Sequence, residues 1–214
     1  PLYSSAASDV YKRQALYIPV VLPASVVAVM WKFMLNKDIG LVNTLLRLVG
    51  LDNLTHAWIG EKSTALGTVI AVNTWQYIGF TMVLFYIAMM NISKDVLESA
   101  AVDGATKKDL FFNFFLPLTA GTTETNVILS ISGGMKSFAL FYMLTGGGPG
   151  KATTVVAQLI YTTAFVDFKF YRALAMSTVL FIIILTLVLI SRLIGRCLLY
   201  TSPSPRDVEE SRMP

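Results

Sequence analysis

Leu97-Glu98-Ser99-Ala100-Ala101-Val102-Asp103-Gly104-Ala105-Thr106-Lys107-Lys108-Asp109, running on through Leu110-Phe111-Phe112-Asn113-Phe114-Phe115 to Leu116-Pro117, decides the fold. It gathers Glu98, Asp103, Lys107, Lys108 and Asp109, with Lys94 and Asp95 just upstream, in the middle of an oily chain. No charge stands between Lys62 and Lys94. A polar island between long apolar runs belongs in water while its flanks lie in lipid. The island reads as two short helices with a hinge. Ser93 is an N-cap for a helix through Val102, with Asp95 and Glu98 toward the positive end of its dipole. Gly104 stops that helix, because it takes positive φ without a Cβ clash. Thr106 opens the second helix, and Thr106-Lys107-Lys108-Asp109 fits a capping box. Leu110, Phe111, Phe112, Phe114 and Phe115 form a greasy wall on it, and Pro117 interrupts regular helix where the chain returns to lipid.

Composition agrees. Hydrophobic residues make up 55% of the 214 and charged residues 14%, against about 45–50% and about 25% in soluble chains. The net charge of +4 comes from basic residues scattered around apolar spans, with no stripe suited to nucleic acid. One cysteine, Cys197, excludes an internal disulfide or a multi-cysteine metal site, and one histidine, His56, leaves little for zinc or triad chemistry. His56 reads as an ordinary loop residue. No histidine lies in a span and no Gly-x-Ser-x-Gly occurs, which argues against a membrane enzyme. Catalytic, metal and cofactor sites are not expected.

Four spans follow, at about 15–36, 65–90, 125–144 and 173–193, with the island as a loop at 91–118. Each suffices to cross a core about 30 Å thick. Pro19 and Pro23 should kink the first, and Lys32 can snorkel from its end. Between the first two spans, Leu41, Val42, Leu45, Leu46 and Val49 recur at helical spacing and predict a short interfacial helix. In the second span, Asn73 and Gln76 suit interhelical hydrogen bonds. The third is polar for a span (Ser130, Ser132, Gly133, Gly134, Lys136, Ser137) and should line a wet or protein-packed interior. Lys136 is either a pathway residue or a lysine that snorkels or pairs with another chain. Thr145-Gly146-Gly147-Gly148-Pro149-Gly150 ends the third span; with no Lys-Ser/Thr pair in register and no preceding strand, it is not a nucleotide loop. Residues 151–166 read as a helix near the outer surface. Arg192 and Arg196 join Lys94, Lys107 and Lys108 on one face, but Lys37, Lys62 and Lys151 lie on the other, so positive-inside counting orients the chain weakly. Residues 1–14 and 197–214 do not fit the pattern and are set aside as non-native or disordered tails, leaving a membrane-spanning domain at 15–196.

Glu98-Ser99-Ala100, Asp103-Gly104-Ala105 and Leu116-Pro117 stand at the spacing of the EAA loop, EAA-x-x-DGA followed by LP. The chain resembles the permease subunits of binding-protein-dependent ABC importers, most of all the carbohydrate-uptake branch with the maltose and glycerol-phosphate permeases. Thr145 to Pro149 resembles the family's LTxGGP element, with Ala152-Thr153, Ile160-Tyr161 and Ala164-Phe165 following in order, and Gly40-Leu41-Val42-Asn43 resembles its external loop. Ser99 departs from the preferred alanine but is small enough to dock. The resemblance implies an all-α membrane permease core with four of a usual six spans, truncated before Ala15. It implies that Glu98, Ser99, Ala100, Asp103, Gly104, Ala105, Leu116 and Pro117 couple to an ATPase subunit dimer on the cytoplasmic side. Ile78, Gly79 and Met82 on the second span, and Ser132, Met135, Lys136 and Ala139 on the third, fall where relatives contact substrate, although packing is the simpler account of any one of the first three. The implied partners are the ATPase dimer, a second permease forming a heterodimer, an extracytoplasmic solute-binding protein and membrane lipid. The implied place is the bacterial inner membrane and the implied function sugar import. Permeases for amino acids, phosphate or polyamines are the alternative, and a membrane scaffold a weaker one, since a scaffold has no reason to bury Lys136.

Overall fold

A computed structural model describes residues 2–102 and 104–199. Its regular structure is helical throughout the described residues: α1 (Leu2–Val21), α2 (Ala24–Met34), α3 (Leu41–Leu48), a 3-10 turn (Asp52–Leu54), α4 (Ala65–Met90), α5 (Lys94–Val102), α6 (Lys107–Asp109), a π-helical stretch (Leu110–Phe115), α7 (Leu116–Leu118), α8 (Ala120–Lys136), α9 (Ala139–Thr145), α10 (Val156–Phe165) and α11 (Phe170–Leu199). Helix α4 begins and ends where the charge-free run predicts. Helices α3 and α5 also fall where sequence periodicity and capping place them.

Two helices are long and apolar enough to cross a membrane unbroken, Ala65–Met90 and Phe170–Gly195. The other two expected spans are bent pairs. The first is not one kinked helix, because the chain turns by 100° between the α1 segment Val10–Val21 and Ala24–Met34. Pro23, with ψ 140, sits in the extended region and caps α2 without an N–H to continue α1. The third expected span starts earlier, at Ala120, and breaks at Ser137 and Phe138 before resuming as α9. Helix α1 starts at Leu2, so the stretch before Ala15 set aside as a tail is helical from that residue on. The tail from Cys197 lies almost wholly outside the described residues.

Two units divide the described chain: one from residues up to Thr81 with Gly133–Phe181, the other from Met82–Ser132 with the chain from Ile182 on. In the first, α2 packs against α9. Its core joins Val27, Ala28 and Leu35 to Val69 and Val72 of α4 and to Leu140, Phe141 and Leu144 of α9. In lipid such packing rests on close van der Waals fit and on polar bridges, since lipid tails are as apolar as leucine. Gln76 provides one bridge, its buried Nε2 donating to the Leu22 carbonyl at 3.1 Å. Gly79 provides a close approach: a Cβ there would run into the carbonyl of Leu16.

The segment between α2 and α4 is organised by Asn43, which is fully buried. Its Nδ2 donates to the carbonyls of Lys37 (3.0 Å) and His56 (2.9 Å), and its Oδ1 accepts from Trp58 Nε1 at 2.8 Å. His56 is tied in turn to Glu61, Nδ1 to Oε2 at 3.1 Å, while the Ala57 N–H donates to Glu61 Oε1 at 3.0 Å. That backbone donor, foremost, and His56 hold the Glu61 carboxyl below its ordinary range. His56 is thus a loop residue, as expected. The glycine run after α9 is equally committed. Gln158 Nε2 donates to Gly146 O (2.8 Å), Thr153 Oγ1 to Gly148 O (2.8 Å) and Thr154 Oγ1 to Gly147 O (3.2 Å). Those carbonyls face inward onto their own chain, as a structural loop requires.

Helix α11, which contributes residues to both units, is the clearest lipid-facing element. Its apolar window has a mean hydropathy of 2.9, yet only 11% of it is buried. So oily and uncovered a surface needs lipid or apolar protein around it.

Candidate functional site

The island between α4 and α8 lies within the second unit. Helix α5 ends in a Schellman-type turn: Gly104 has φ 79, and the Ala105 N–H donates to the Ala100 carbonyl at 3.0 Å. That six-to-one bond across a left-handed glycine satisfies a carbonyl that the helix end leaves open. Ala100 is 3% exposed, so α5 is packed at that residue. Glu98 and Ser99 are exposed, and Ser99 Oγ donates back to the Val96 carbonyl at 3.0 Å. Ser99 therefore presents little more bulk than the alanine it replaces. Asp103, the remaining acid of the pattern, lies outside the described residues.

Immediately after the turn the capping box forms as the sequence predicts. Asp109 Oδ2 accepts from the Thr106 N–H (2.9 Å) and from its hydroxyl (2.6 Å), and the Asp109 N–H donates to Thr106 Oγ1 at 3.3 Å. The hydroxyl first, then the backbone donor, holds the Asp109 carboxyl below its ordinary range. The stretch Leu110–Phe115 then widens into π-helix ahead of Pro117. Pro117 has no N–H and its ring crowds the preceding turn, and a widened turn relieves that crowding. Phe111 and Phe112 meet edge to face, with centroids 5.2 Å apart. The island is therefore two capped pieces around one glycine, leading through an irregular turn into α8.

Leu116 and Pro117 line a cavity of about 550 Å³ with Phe112, Ala120, Thr123, Glu124 and Val127, closed by Ser191, Ile194 and Gly195 of α11. Glu124 packs so closely on Gly195 that a Cβ there would meet its carboxyl group at 2.5 Å. Sequence reasoning passed over Glu124, although an acid in the second turn of a span is a signal in itself.

The expected pathway residues are spread along α4, α8 and α9. Ile78 is exposed and Met82 partly so. Gly79 is buried against the α1 backbone at Leu16 and Tyr17, so its part is helix packing and no room is left beside it for solute. Ser132, Met135 and Lys136 share one face of α8 at spacings of three and four, whereas Ala139 follows the helix break. Lys136 is exposed and makes no hydrogen bond or ion pair to any described residue. Among the described residues no group of His, Cys, Asp or Glu is placed to hold a metal ion.

Residues 9–198 match the family of binding-protein-dependent transport system inner membrane components. The probable ABC transporter permease protein YurN of Bacillus subtilis is 38% identical over 175 residues, which is 82% of this chain and 60% of that protein. The diacetylchitobiose uptake system permease protein NgcF of Streptomyces coelicolor is 31% identical over 188 residues, 87% of this chain and 53% of that one. Among solved structures, a chain of a bacterial alginate ABC transporter, in complex with a periplasmic protein carrying an alginate pentasaccharide, superposes with a TM-score of 0.82 at 23% identity, covering 93% of this chain and 69% of that one. This chain thus spans about three fifths of the YurN protein and about half of NgcF. With regular structure that is all helical among its described residues, up to four membrane spans and the loop spacing of a permease, the chain belongs to the family of binding-protein-dependent transport system inner membrane components.

Proposed function

We propose that this chain is the solute-conducting permease subunit of an ATP-driven sugar importer, and that the island from Glu98 to Pro117 couples it to the ATPase. The observation that carries the reading is the island's build: a Schellman turn at Gly104 joined directly to the Thr106–Asp109 capping box. A loop capped on both sides of one glycine moves as a piece, so a displacement at Glu98 reaches α8 without being absorbed in slack chain. Relatives named for diacetylchitobiose, for multiple sugars and for trehalose and maltose support sugar as the solute class.

In this mechanism a solute-binding protein delivers sugar to the outer segments, and this chain and a second permease enclose the pathway. Separate ATPase subunits hydrolyse the nucleotide, close on it and draw the islands together, and the spans rock about a fixed site. Glu98, exposed on α5, meets a basic group of the ATPase. Ala100 and Ala105 keep the elbow slim, and Leu116 with Pro117 passes the motion to α8. Ile78, Met82, Ser132, Met135, Lys136 and Ala139 contact the solute. The test is sugar uptake by vesicles holding the assembled transporter, parent against Glu98→Ala. Uptake should fall with membrane insertion unchanged. Normal uptake by the variant, or uptake of amino acids or phosphate in place of sugar, overturns the reading.

A further inference from the structure

A second cavity, about 530 Å³, opens in the first unit where the segment between α2 and α4 meets those helices. That volume is within the range of about 300–1,000 Å³ usual for small-molecule sites. We propose that it is an outer subsite for one uncharged sugar ring, placed ahead of the pathway residues; the assignment rests on the sugar-import reading.

Three features of the cavity point to that ligand. First, it has two aromatic walls, Trp31 and Trp58, and Trp58 is fixed before any ligand arrives. Its Nε1 is held by fully buried Asn43 at 2.8 Å, and its ring meets His56 edge to face at 5.6 Å. A platform already immobilised loses little further entropy on binding. The C–H face of a pyranose packs on such a surface. Second, Ser63, Thr64 and Thr68 supply hydroxyls. Thr64 and Thr68 donate to the carbonyls of Trp58 (3.1 Å) and Thr64 (2.9 Å), which leaves their oxygens free to accept. The Ser63 hydroxyl bonds to no described residue. Third, no charged side chain lines the cavity. A carboxylate or ammonium brought into it would lose its water without a counter-charge, whereas a neutral polyol would not.

Position fits as well. Gly67 and Ala71 of the cavity wall lie on the stripe of α4 that reaches exposed Ile78 seven residues later, about 10 Å along the helix. The cavity stands at the Ala65 end of α4, and under the sugar-import reading that is the end at which solute arrives.

The test uses the assembled transporter in nanodiscs and proteoliposomes. Gly67 has nothing within 4 Å of its Cβ position, so Gly67→Leu projects into open space without striking the backbone. Tryptophan fluorescence is titrated with diacetylchitobiose, maltose and glucuronic acid, with no binding protein present. The parent should show a saturable change with at least one neutral sugar and none with glucuronic acid, and Gly67→Leu should show none. In uptake, Gly67→Leu should raise KM about tenfold with kcat and basal ATPase activity held. Ser63→Ala, which removes one hydroxyl and no packing, should shift KM in the same direction by less. If sugars are imported but the fluorescence titration and KM are the same in Gly67→Leu and parent, the subsite is refuted and the sugar reading stands. A parent response to glucuronic acid equal to that for maltose also refutes it. If the parent imports no sugar at all, the functional reading fails and the subsite fails with it.

Discussion

Replacing Gly104 isolates the conformational requirement of the elbow. Its φ is 79, and a Cβ built on it meets nothing within 4 Å. The cost of a side chain there is therefore backbone strain alone, with no collision to relax. For alanine that strain is about 1–2 kcal/mol. Asparagine tolerates the left-handed region better, and a β-branched residue worse. A population of closed turns falls by roughly 5- to 30-fold for 1–2 kcal/mol. Losing the turn also frees the Ala105–Ala100 hydrogen bond, worth about 0.5–1.5 kcal/mol. The expected order of coupling, read as sugar imported per ATP hydrolysed in proteoliposomes, is Gly, then Asn, then Ala, then Val. Membrane insertion, read by blotting the membrane fraction, should be equal for all four. Valine coupling as well as glycine, or asparagine no better than valine, would refute the argument that the backbone geometry at Gly104 sets coupling.

Asn43→Leu should destabilise the segment between α2 and α4 by about 1–3 kcal/mol, because it strands the Trp58 N–H and takes one donor from each of the Lys37 and His56 carbonyls; limited proteolysis between Lys37 and Thr64 should speed up, and unchanged cleavage would contradict it. Gly79→Leu should lower the thermal midpoint and the amount of protein in the membrane, since its Cβ would meet the α1 backbone; wild-type levels would place α1 elsewhere. Asp109 has a lowered pKa in the folded loop, so its cap contributes fully above the ordinary carboxylate range and is lost as pH falls through the lowered value. Amide exchange at Thr106 and Asp109, corrected for intrinsic rates, should then be flat down to about pH 4 and show lost protection below it, and Asp109→Asn should remove that dependence.

Local rules made much of this fold readable. The charge-free run fixed both ends of α4, Gly104 and the Thr106–Asp109 pair marked the elbow, and the spacing of Leu41, Val42 and Leu45 marked α3. Each of these depends on residues within one or two turns. What stayed hidden depends on partners far along the chain. Pro19 and Pro23 in an apolar run look alike for a shallow kink or a 100° turn, and the outcome depends on where α2 finds its core against α9. The break at Ser137 and Phe138 carries neither Gly nor Pro, while Gly133-Gly134 just before it stays helical. The π-helical stretch before Pro117 is the neighbourhood's answer to a proline, and sequence pattern shows only the proline. Nothing in the sequence marks Asn43 as the buried centre of its segment until Trp58, fifteen residues on, is seen to donate to it. For Gly79 packing is the simpler reading, but the partner it packs on, Leu16 of another helix, is not visible in the sequence.

The central claim is that the elbow lies in the cytoplasm in the grip of the ATPase. Cys197 is the one cysteine of this sequence, so Ser99→Cys in a Cys197→Ser background leaves this sequence a single thiol, on exposed α5. A membrane-impermeant maleimide should label it in inside-out vesicles stripped of ATPase and fail to label it in intact cells, and adding the ATPase subunit should protect it. Labelling from the outside of intact cells would contradict the account.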